Sequence, residues 1–200
     1  MTSMRRSSFV LIPLAMMTLI LVEAGISYGQ TLAPDFTLTD INGVGFSLPD
    51  FKGKIILIDF FATWCGPCQE EIHHLKALTN IYPNDTVVII SISVDPLHDT
   101  DSVLRIFAKG YGMTWIVASD TTSVARKYQV TVIPTLILID QTGYIRNLHE
   151  GLTDKTTLQS KIEVIVPEFD TRVVVVTLAL AAALAILRRK KERIVEVHSS

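Results

Sequence analysis

The residues that decide the fold are 58–68, which read Ile-Asp-Phe-Phe-Ala-Thr-Trp-Cys-Gly-Pro-Cys. They contain Cys65 and Cys68, the only cysteines among the 200 residues of the chain. The apolar, β-branched run over 54–61 predicts a strand that is buried on both faces. The apolar residues of 66–80 recur at helical spacing and predict a helix. The two cysteines therefore lie where a buried strand ends and a helix begins.

Further strands and helices alternate along the middle of the chain. Apolar runs predict strands over 86–93, 135–140 and 144–148. Helical patterning predicts helices over 102–109, 123–128 and 154–166. We expect Gly110 to end the first of these helices and Asp154 to lie near the N-cap of the last. Upstream, Asn42-Gly43 between two short runs, 36–39 and 45–48, predicts a β-hairpin.

This alternation predicts an α/β fold with a central mixed, mostly parallel β-sheet that is flanked by helices. The strands on either side of the turn at 141–143 are expected to add an antiparallel edge. The N-terminal hairpin completes one domain over residues 30–167, which is an ordinary size for a single domain.

Composition excludes several classes of protein. Hydrophobic residues make up 48% of the chain and charged residues only 19%, which excludes intrinsic disorder and a coiled coil as the main structure. Two cysteines are too few for a disulfide-dense scaffold or a four-cysteine zinc site. A net charge of −2 gives no reason to expect nucleic acid as a partner.

The two ends of the chain are basic and apolar, and they predict attachment to a membrane. Arg5 and Arg6 precede an uncharged apolar stretch, so residues 1–29 are expected to form a cleaved signal peptide or an uncleaved signal anchor. An uncharged run followed by Arg188–Lys191 predicts a transmembrane helix over 171–188 and a basic cytoplasmic tail over 189–200. Because basic flanks stay in the cytoplasm, we expect the domain on the extracytoplasmic side of the cytoplasmic membrane.

The spacing of the cysteines favours redox chemistry. Two thiols separated by two residues at a helix N-terminus can close a small disulfide ring, and the helix dipole stabilises the first thiolate. We expect Cys65 to be the exposed thiolate that attacks a disulfide, and Cys68 to resolve the mixed disulfide. So short a ring removes little entropy from the unfolded chain, which disfavours a purely stabilising disulfide. We expect no metal and no cofactor besides the Cys65–Cys68 disulfide, because a zinc site needs more ligands.

Residues 58–68 in this setting resemble the active-site segment of the thioredoxin superfamily. The segments 33–40, 93–95 and 132–135, with the Asn-Gly hairpin, narrow the resemblance to the membrane-anchored TlpA/ResA type of thiol–disulfide oxidoreductase, within the redoxin or AhpC-TSA-like proteins. The similarity covers about residues 32–166 and implies a thioredoxin-like fold. It also implies a reductant of exported thiol proteins, for example in cytochrome c maturation, and a membrane electron donor as a second partner.

The resemblance implies roles for individual residues around the cysteines. Ile133-Pro134 matches the cis-proline loop, which faces the disulfide and offers backbone groups to a bound substrate. Trp64 matches the aromatic platform beside the nucleophile, and with Gly66 and Pro67 it completes the implied substrate-binding set.

Two carboxylates are implied as acid–base groups. Asp59, six residues before Cys65, matches the buried carboxylate that assists deprotonation of the second cysteine in thioredoxin. Glu71, three residues after Cys68, matches the acid of the Cys-x-x-Cys-x-x-Glu pattern of the ResA type. The acid–base group is therefore Asp59, Glu71 or both, and the alternatives are a solvent-exposed acid at a strand end and a solvated helix residue. His73 stands where the family often has proline, which would kink the helix.

Three other functions stay open. A disulfide-forming oxidase or isomerase shares every motif and differs only in redox potential, although Gly66-Pro67 resembles the reducing thioredoxins. A thiol peroxidase of the peroxiredoxin branch would have a threonine three residues before its cysteine, whereas Thr63 is two residues before Cys65. A copper-binding protein on the same fold would use Cys-x-x-x-Cys and a distant histidine; the cysteine spacing here is one residue shorter, although His149 is a distant histidine.

Overall fold

The structure is a computed structural model and describes residues 31–166. The predicted signal or anchor over 1–29, the predicted transmembrane helix over 171–188 and the basic tail over 189–200 lie outside the described residues. Within residues 31–166, none of the helices has the length and apolar character of a membrane span.

The described residues form strands and helices in the predicted alternation. The strands are β1 (Thr31–Leu32), β2 (Thr37–Thr39), β3 (Gly45–Ser47), β4 (Ile55–Phe61), β5 (Val87–Ser93), β6 (Ile116–Ser119), β7 (Thr135–Ile139) and β8 (Tyr144–Glu150). The α-helices are α1 (Gly66–Thr79), α2 (Asp101–Tyr111), α3 (Val124–Lys127) and α4 (Lys155–Ile165). A short 3-10 helix follows β3 at Leu48–Phe51.

The central sheet has the strand order β1-β8-β7-β4-β5-β6. The predicted hairpin is confirmed as β2 and β3, which form a separate two-stranded antiparallel sheet. β4 is parallel to β5 and antiparallel to β7, while β5 is parallel to β6 and β7 antiparallel to β8. The mixed sheet is confirmed, but the prediction that it is mostly parallel is wrong. A continuous apolar run indicates that a strand is buried on both faces and carries no information on its direction.

Two local predictions also need correction. Gly110 lies inside α2, and the helix ends at Tyr111. Its C-cap is Gly112, whose left-handed φ of 67° suits glycine and whose N–H bonds back to the carbonyl of Ala108. The edge strand β6 was not predicted, because four residues are too few to show a periodicity. The N-cap of the last helix is confirmed: the Asp154 carboxylate accepts the N–H groups of Thr156 and Thr157.

Strand β4 lies at the centre of the core and sends alternate side chains to opposite faces of the sheet. Ile56, Ile58 and Phe60 pack with the hairpin and α3. Ile55 and Leu57 pack instead with apolar side chains of α1 and α4. Asp59 is next in this second series, so a carboxyl lies on a face that is otherwise apolar.

Candidate active site

A disulfide joins Cys65 and Cys68 where β4 leads into α1, with the two Cα atoms 5.2 Å apart. Cys65 is the N-cap of α1, and its Sγ accepts the backbone N–H of Cys68 at 3.2 Å. Pro67 is tolerated in the first turn because its missing N–H would have no intrahelical partner there. The helix N-terminus thus directs a backbone N–H at the sulfur that is predicted to be the nucleophile.

The two sulfur-bearing side chains differ in accessibility. Cys65 is 6% exposed and Cys68 is 1% exposed, and both belong to an apolar cluster that includes Phe61 and Leu104. Cys65 is therefore the more accessible of the two, although its exposed area is small. Its role as the attacking thiolate stays a prediction.

The surface beside Cys65 is formed by Trp64, Gly66 and Pro67, all of which are exposed. Trp64 is 64% exposed, and its indole N–H donates to Oδ2 of Asp95 at 2.9 Å. Asp95 also contacts Nδ1 of His98 at 2.9 Å. The hydrogen bond to Asp95 orients an aromatic side chain whose ring remains available to a partner protein.

The turn before Trp64 is held by Asp99, a buried carboxylate that the sequence reasoning missed. Asp99 accepts the backbone N–H of Thr63 at 2.9 Å, the Thr63 hydroxyl, and the Ser93 hydroxyl at 2.5 Å. Residues 93–95 contribute to the resemblance to the TlpA/ResA type, but that resemblance does not extend to Asp99. No spacing in the sequence links position 99 to position 63. The three hydrogen bonds fix the backbone two residues before Cys65.

The Ile133–Pro134 peptide bond is cis, as predicted. Ile133 is partly buried against the cluster that contains both cysteines. Pro134 is buried, and its carbonyl oxygen accepts the N–H of Gly151 at 2.8 Å. The cis-proline loop and the disulfide therefore belong to one site.

Asp59 is a buried residue of β4, which excludes the alternative of a solvent-exposed strand-end acid. Its Oδ2 accepts the Ser91 hydroxyl at 2.7 Å, while its Oδ1 has no hydrogen-bond partner among the described residues. Burial raises the pKa of Asp59 to about 7, although the hydrogen bond from Ser91 opposes this effect.

Glu71 is also buried, on α1 one turn after Cys68, so it is not a solvated helix residue. Its Oε1 accepts the N–H of Thr153 at 2.9 Å, and within residues 31–166 its Oε2 has no partner. Burial and the charge of nearby Asp59 raise the pKa of Glu71 to about 8, against the effect of the Thr153 hydrogen bonds. Among the described residues, each carboxyl thus has one bonded oxygen and one oxygen without a partner, and the raised pKa values allow both groups to exchange protons near neutral pH.

The structure also places the two histidines that the sequence analysis considered. His73 lies on α1, which continues unbroken to Thr79, and its ring centroid is 5.9 Å from that of Tyr111. His149 lies on β8 opposite Leu136. In the described part of the chain, no three or more His, Cys, Asp or Glu side chains are grouped so that they could hold a metal ion.

The thioredoxin-like arrangement of strand, cysteine pair and cis-proline loop is matched by known proteins. Residues 30–148 match the model of the AhpC/TSA family. The chain belongs to this family.

Its relatives include thiol–disulfide oxidoreductases. The chain is 33% identical over 141 residues to the thioredoxin-like protein YneN of Bacillus subtilis (strain 168), covering 70% of this chain and 82% of that protein. It is 33% identical over 147 residues to the thiol-disulfide oxidoreductase ResA of Geobacillus kaustophilus (strain HTA426), covering 72% of this chain and 82% of ResA. A solved thiol:disulfide interchange protein of the thioredoxin family from Chlorobium tepidum TLS is 25% identical with a TM-score of 0.63. The matched region covers 70% of this chain and 98% of the Chlorobium protein.

This AhpC/TSA family member is a thiol–disulfide oxidoreductase with a thioredoxin-like fold. Enzymes of this class use a redox-active cysteine pair and no further cofactor. In this chain the pair is Cys65–Cys68, since the sequence contains no other cysteine.

Proposed function

We propose that this oxidoreductase is a membrane-anchored reductant of exported thiol proteins that works on the extracytoplasmic side of the cytoplasmic membrane. The basic, apolar ends of the sequence support the anchoring and the orientation. The similarity to ResA and the Gly66-Pro67 dipeptide support the reducing direction. Apocytochrome c is a fitting substrate, because haem attachment needs the free thiols of its Cys-x-x-Cys-His motif.

The observation that supports the reducing direction is a pair of buried carboxyls, Asp59 on β4 and Glu71 on α1. Glu71 lies one helical turn after Cys68, where side chains three residues apart are neighbours. Asp59 is near enough for its charge to raise the pKa of Glu71. Once Asp59 and Glu71 ionise, their negative charge disfavours a thiolate on the nearby cysteine and thus the reduced form of the protein, and this effect grows as the pH rises above about 7 to 8. Stabilisation of the reduced form makes a strong oxidant, so its destabilisation favours a reductant.

The catalytic cycle follows from the same arrangement. The Cys65 thiolate attacks a disulfide sulfur of the substrate, which forms a mixed disulfide and releases one substrate thiolate. Cys68 passes its proton to a free carboxylate oxygen of Asp59 or Glu71, and the new thiolate attacks the Cys65 sulfur. The second substrate sulfur leaves as a thiolate. One substrate thiolate takes the proton back from the carboxyl, and the other takes a proton from water, which replaces the proton that Cys65 lost when its thiolate formed.

Two electrons pass from the cysteine pair to the substrate in each cycle. The substrate ends as a dithiol and the protein as the Cys65–Cys68 disulfide. A dithiol on a membrane electron donor must then reduce this disulfide before the next cycle.

The decisive experiment is the reduction potential of Cys65–Cys68 in the full chain, measured at equilibrium with thiol–disulfide redox buffers. A value near or below about −250 mV is the expected result for a reductant. A value between about −180 and −120 mV would instead identify an oxidase or isomerase. Peroxide consumption by the same protein, without a second thiol protein, would identify a peroxidase.

A further inference from the structure

The environment of Asp59 contains a hydrogen-bonded pair that has no part in the cycle described above. Ser91 is opposite Asp59 in the parallel pairing of β5 with β4, and its side chain is fully buried. Its hydroxyl lies 2.7 Å from Oδ2 of Asp59. The same oxygen lies 2.9 Å from Nε1 of Trp115, the residue just before β6. Trp115, Ser91 and Asp59 thus form a short chain of hydrogen bonds.

The direction of each hydrogen bond in this chain is fixed by chemistry. An indole N–H can only donate, so Ser91 Oγ accepts from Trp115. A serine hydroxyl has one hydrogen, and the Asp59 carboxylate is its acceptor. Trp115 is itself held in place, because it packs against the apolar cluster around the cysteines and against the one between the sheet, α1 and α4.

The protonated form of Asp59 then has one favoured structure. A proton on Oδ2 would reverse the hydrogen bond with Ser91 and leave the buried serine hydrogen without an acceptor. A proton on Oδ1 leaves the Trp115–Ser91–Asp59 chain intact, because Oδ1 has no partner among residues 31–166.

We propose that Ser91, oriented by Trp115, is a positioning residue that keeps Oδ2 of Asp59 as an acceptor in both protonation states, so that the exchangeable proton is carried by Oδ1. The inference rests on the acid–base role given to Asp59 in the proposed function and assigns that role to one oxygen. The Ser91 hydroxyl also stabilises the charged form of Asp59, and it therefore lowers the pH at which the buried carboxyl becomes a base.

Other titratable groups lie on the elements packed around this face of the sheet. They are Glu71 on α1, Tyr82 after α1, His149 on β8 and Lys161 on α4, while Cys68 is held in the disulfide of the oxidised chain and does not titrate there. Glu71 is the one whose pKa the charge of Asp59 raises. The test therefore has to follow the Asp59 carboxyl itself as well as the enzymatic rate.

The experiment is a pH titration of the side-chain carboxyl carbon of Asp59 by NMR, in the oxidised full chain labelled with ¹³C-aspartate. The resonance is assigned by its absence in Asp59→Asn. In Ser91→Ala we expect the midpoint to rise by about one pH unit or more, which is about a tenfold smaller ratio of ionised to protonated Asp59 at a given pH. In Trp115→Phe the serine hydroxyl is free to rotate, and we expect a smaller rise in the same direction.

Two further variants separate this positioning role from a general effect on structure. Ser91→Thr retains the hydroxyl, and we expect it to keep the midpoint of the unsubstituted protein. Ser93→Ala removes another fully buried hydroxyl of β5, but Ser93 donates to Asp99, so the Asp59 midpoint should stay in place. The pH profile of mixed-disulfide resolution should shift with the NMR midpoint in each variant.

An unchanged Asp59 midpoint in Ser91→Ala would overturn the inference. If that variant does not fold, an unchanged midpoint in Trp115→Phe overturns it equally. An unchanged pH profile of resolution in Asp59→Asn would also overturn it, because Asp59 would then not be the base. The proposed function is tested separately, because the reducing direction is judged from the reduction potential of Cys65–Cys68. The Asp59 titration tests only the positioning role of Ser91.

Discussion

Replacing Asp59 with asparagine should stabilise the folded protein at alkaline pH and have little effect at acid pH. The folded protein holds the Asp59 proton up to a pH of about 7, because burial raises the pKa of that carboxyl from 3.8 to about 7. The unfolded chain releases it near the ordinary value. Between these two pH values the folded state therefore binds more protons than the unfolded state, so stability falls as the pH rises.

The size of the effect follows from the two pKa values. One pH unit corresponds to about 1.4 kcal/mol, so full ionisation of buried Asp59 costs about 4 kcal/mol of unfolding free energy at pH 9. Asparagine has nearly the same shape, can still accept the Ser91 hydroxyl and carries no charge. Its amide N–H groups take the place of the unbonded Oδ1, which costs about 1–3 kcal/mol and reduces the gain. We therefore expect a net stabilisation of roughly 1–3 kcal/mol at pH 9.

The assay is urea denaturation of the oxidised full chain at pH 5 and pH 9. The disulfide state is used because its cysteines do not titrate. Asp85→Asn is a matched control, since Asp85 is an exposed aspartate and should give no comparable pH-dependent gain. If Asp59→Asn gains no more stability at pH 9 than at pH 5, Asp59 is not the buried, uncompensated carboxyl described above.

Three other expectations concern the cysteine pair and its neighbours. Cys68→Ser should trap a mixed disulfide between Cys65 and a disulfide-bonded Cys-x-x-Cys-His peptide, visible on a non-reducing gel, and Cys65→Ser should not; the opposite pattern would reverse the two roles. Glu71→Gln should raise the reduction potential at pH 9 by on the order of 30 mV or more, because it removes a negative charge one turn from Cys68. The control is Glu70→Gln, which changes an exposed neighbouring glutamate and should leave the reduction potential unchanged. An unchanged reduction potential in Glu71→Gln would argue against an electrostatic origin of the reducing direction. Asp99→Asn should lower the unfolding free energy by about 1–3 kcal/mol, because it weakens the charge-assisted hydrogen bonds to Thr63 and Ser93. Urea denaturation would measure this loss, with Asp101→Asn as the control at an exposed aspartate.

The sequence was sufficient for the features that arise from short-range patterns. The buried strand over 55–61, the helix that begins at Gly66 and the hairpin at Asn42-Gly43 depend on local periodicity and turn chemistry, and the structure contains them. The cysteine pair and the cis-proline loop were identified because their spacing resembles that of a known superfamily. Strand direction and the edge strand β6 were not accessible in this way, because they depend on pairing between distant segments.

The contacts around the carboxyls mark the limit of sequence reasoning more sharply. Asp59 and Glu71 could be named from their spacing to the cysteines, but their partners could not. Ser91, Trp115 and Thr153 lie between 24 and 82 residues from the groups they contact, and no pattern connects them. Asp99 reaches Thr63 across 36 residues for the same reason.

The stability and the chemistry of this site depend on the same desolvation. Placing Asp59 and Glu71 on an apolar face weakens the folded state at high pH, and it also brings both carboxyls into the pH range where they can take a thiol proton. At pH values above about 7 to 8, where the two carboxyls are ionised, their negative charge disfavours a thiolate beside them, which favours the disulfide and therefore a reducing protein. A double variant Asp59→Asn, Glu71→Gln should accordingly be more stable at pH 9, more oxidising and slower to resolve a mixed disulfide. If the double variant gains stability but keeps its reduction potential, the two effects are separate. The reducing direction would then originate outside the carboxyl pair.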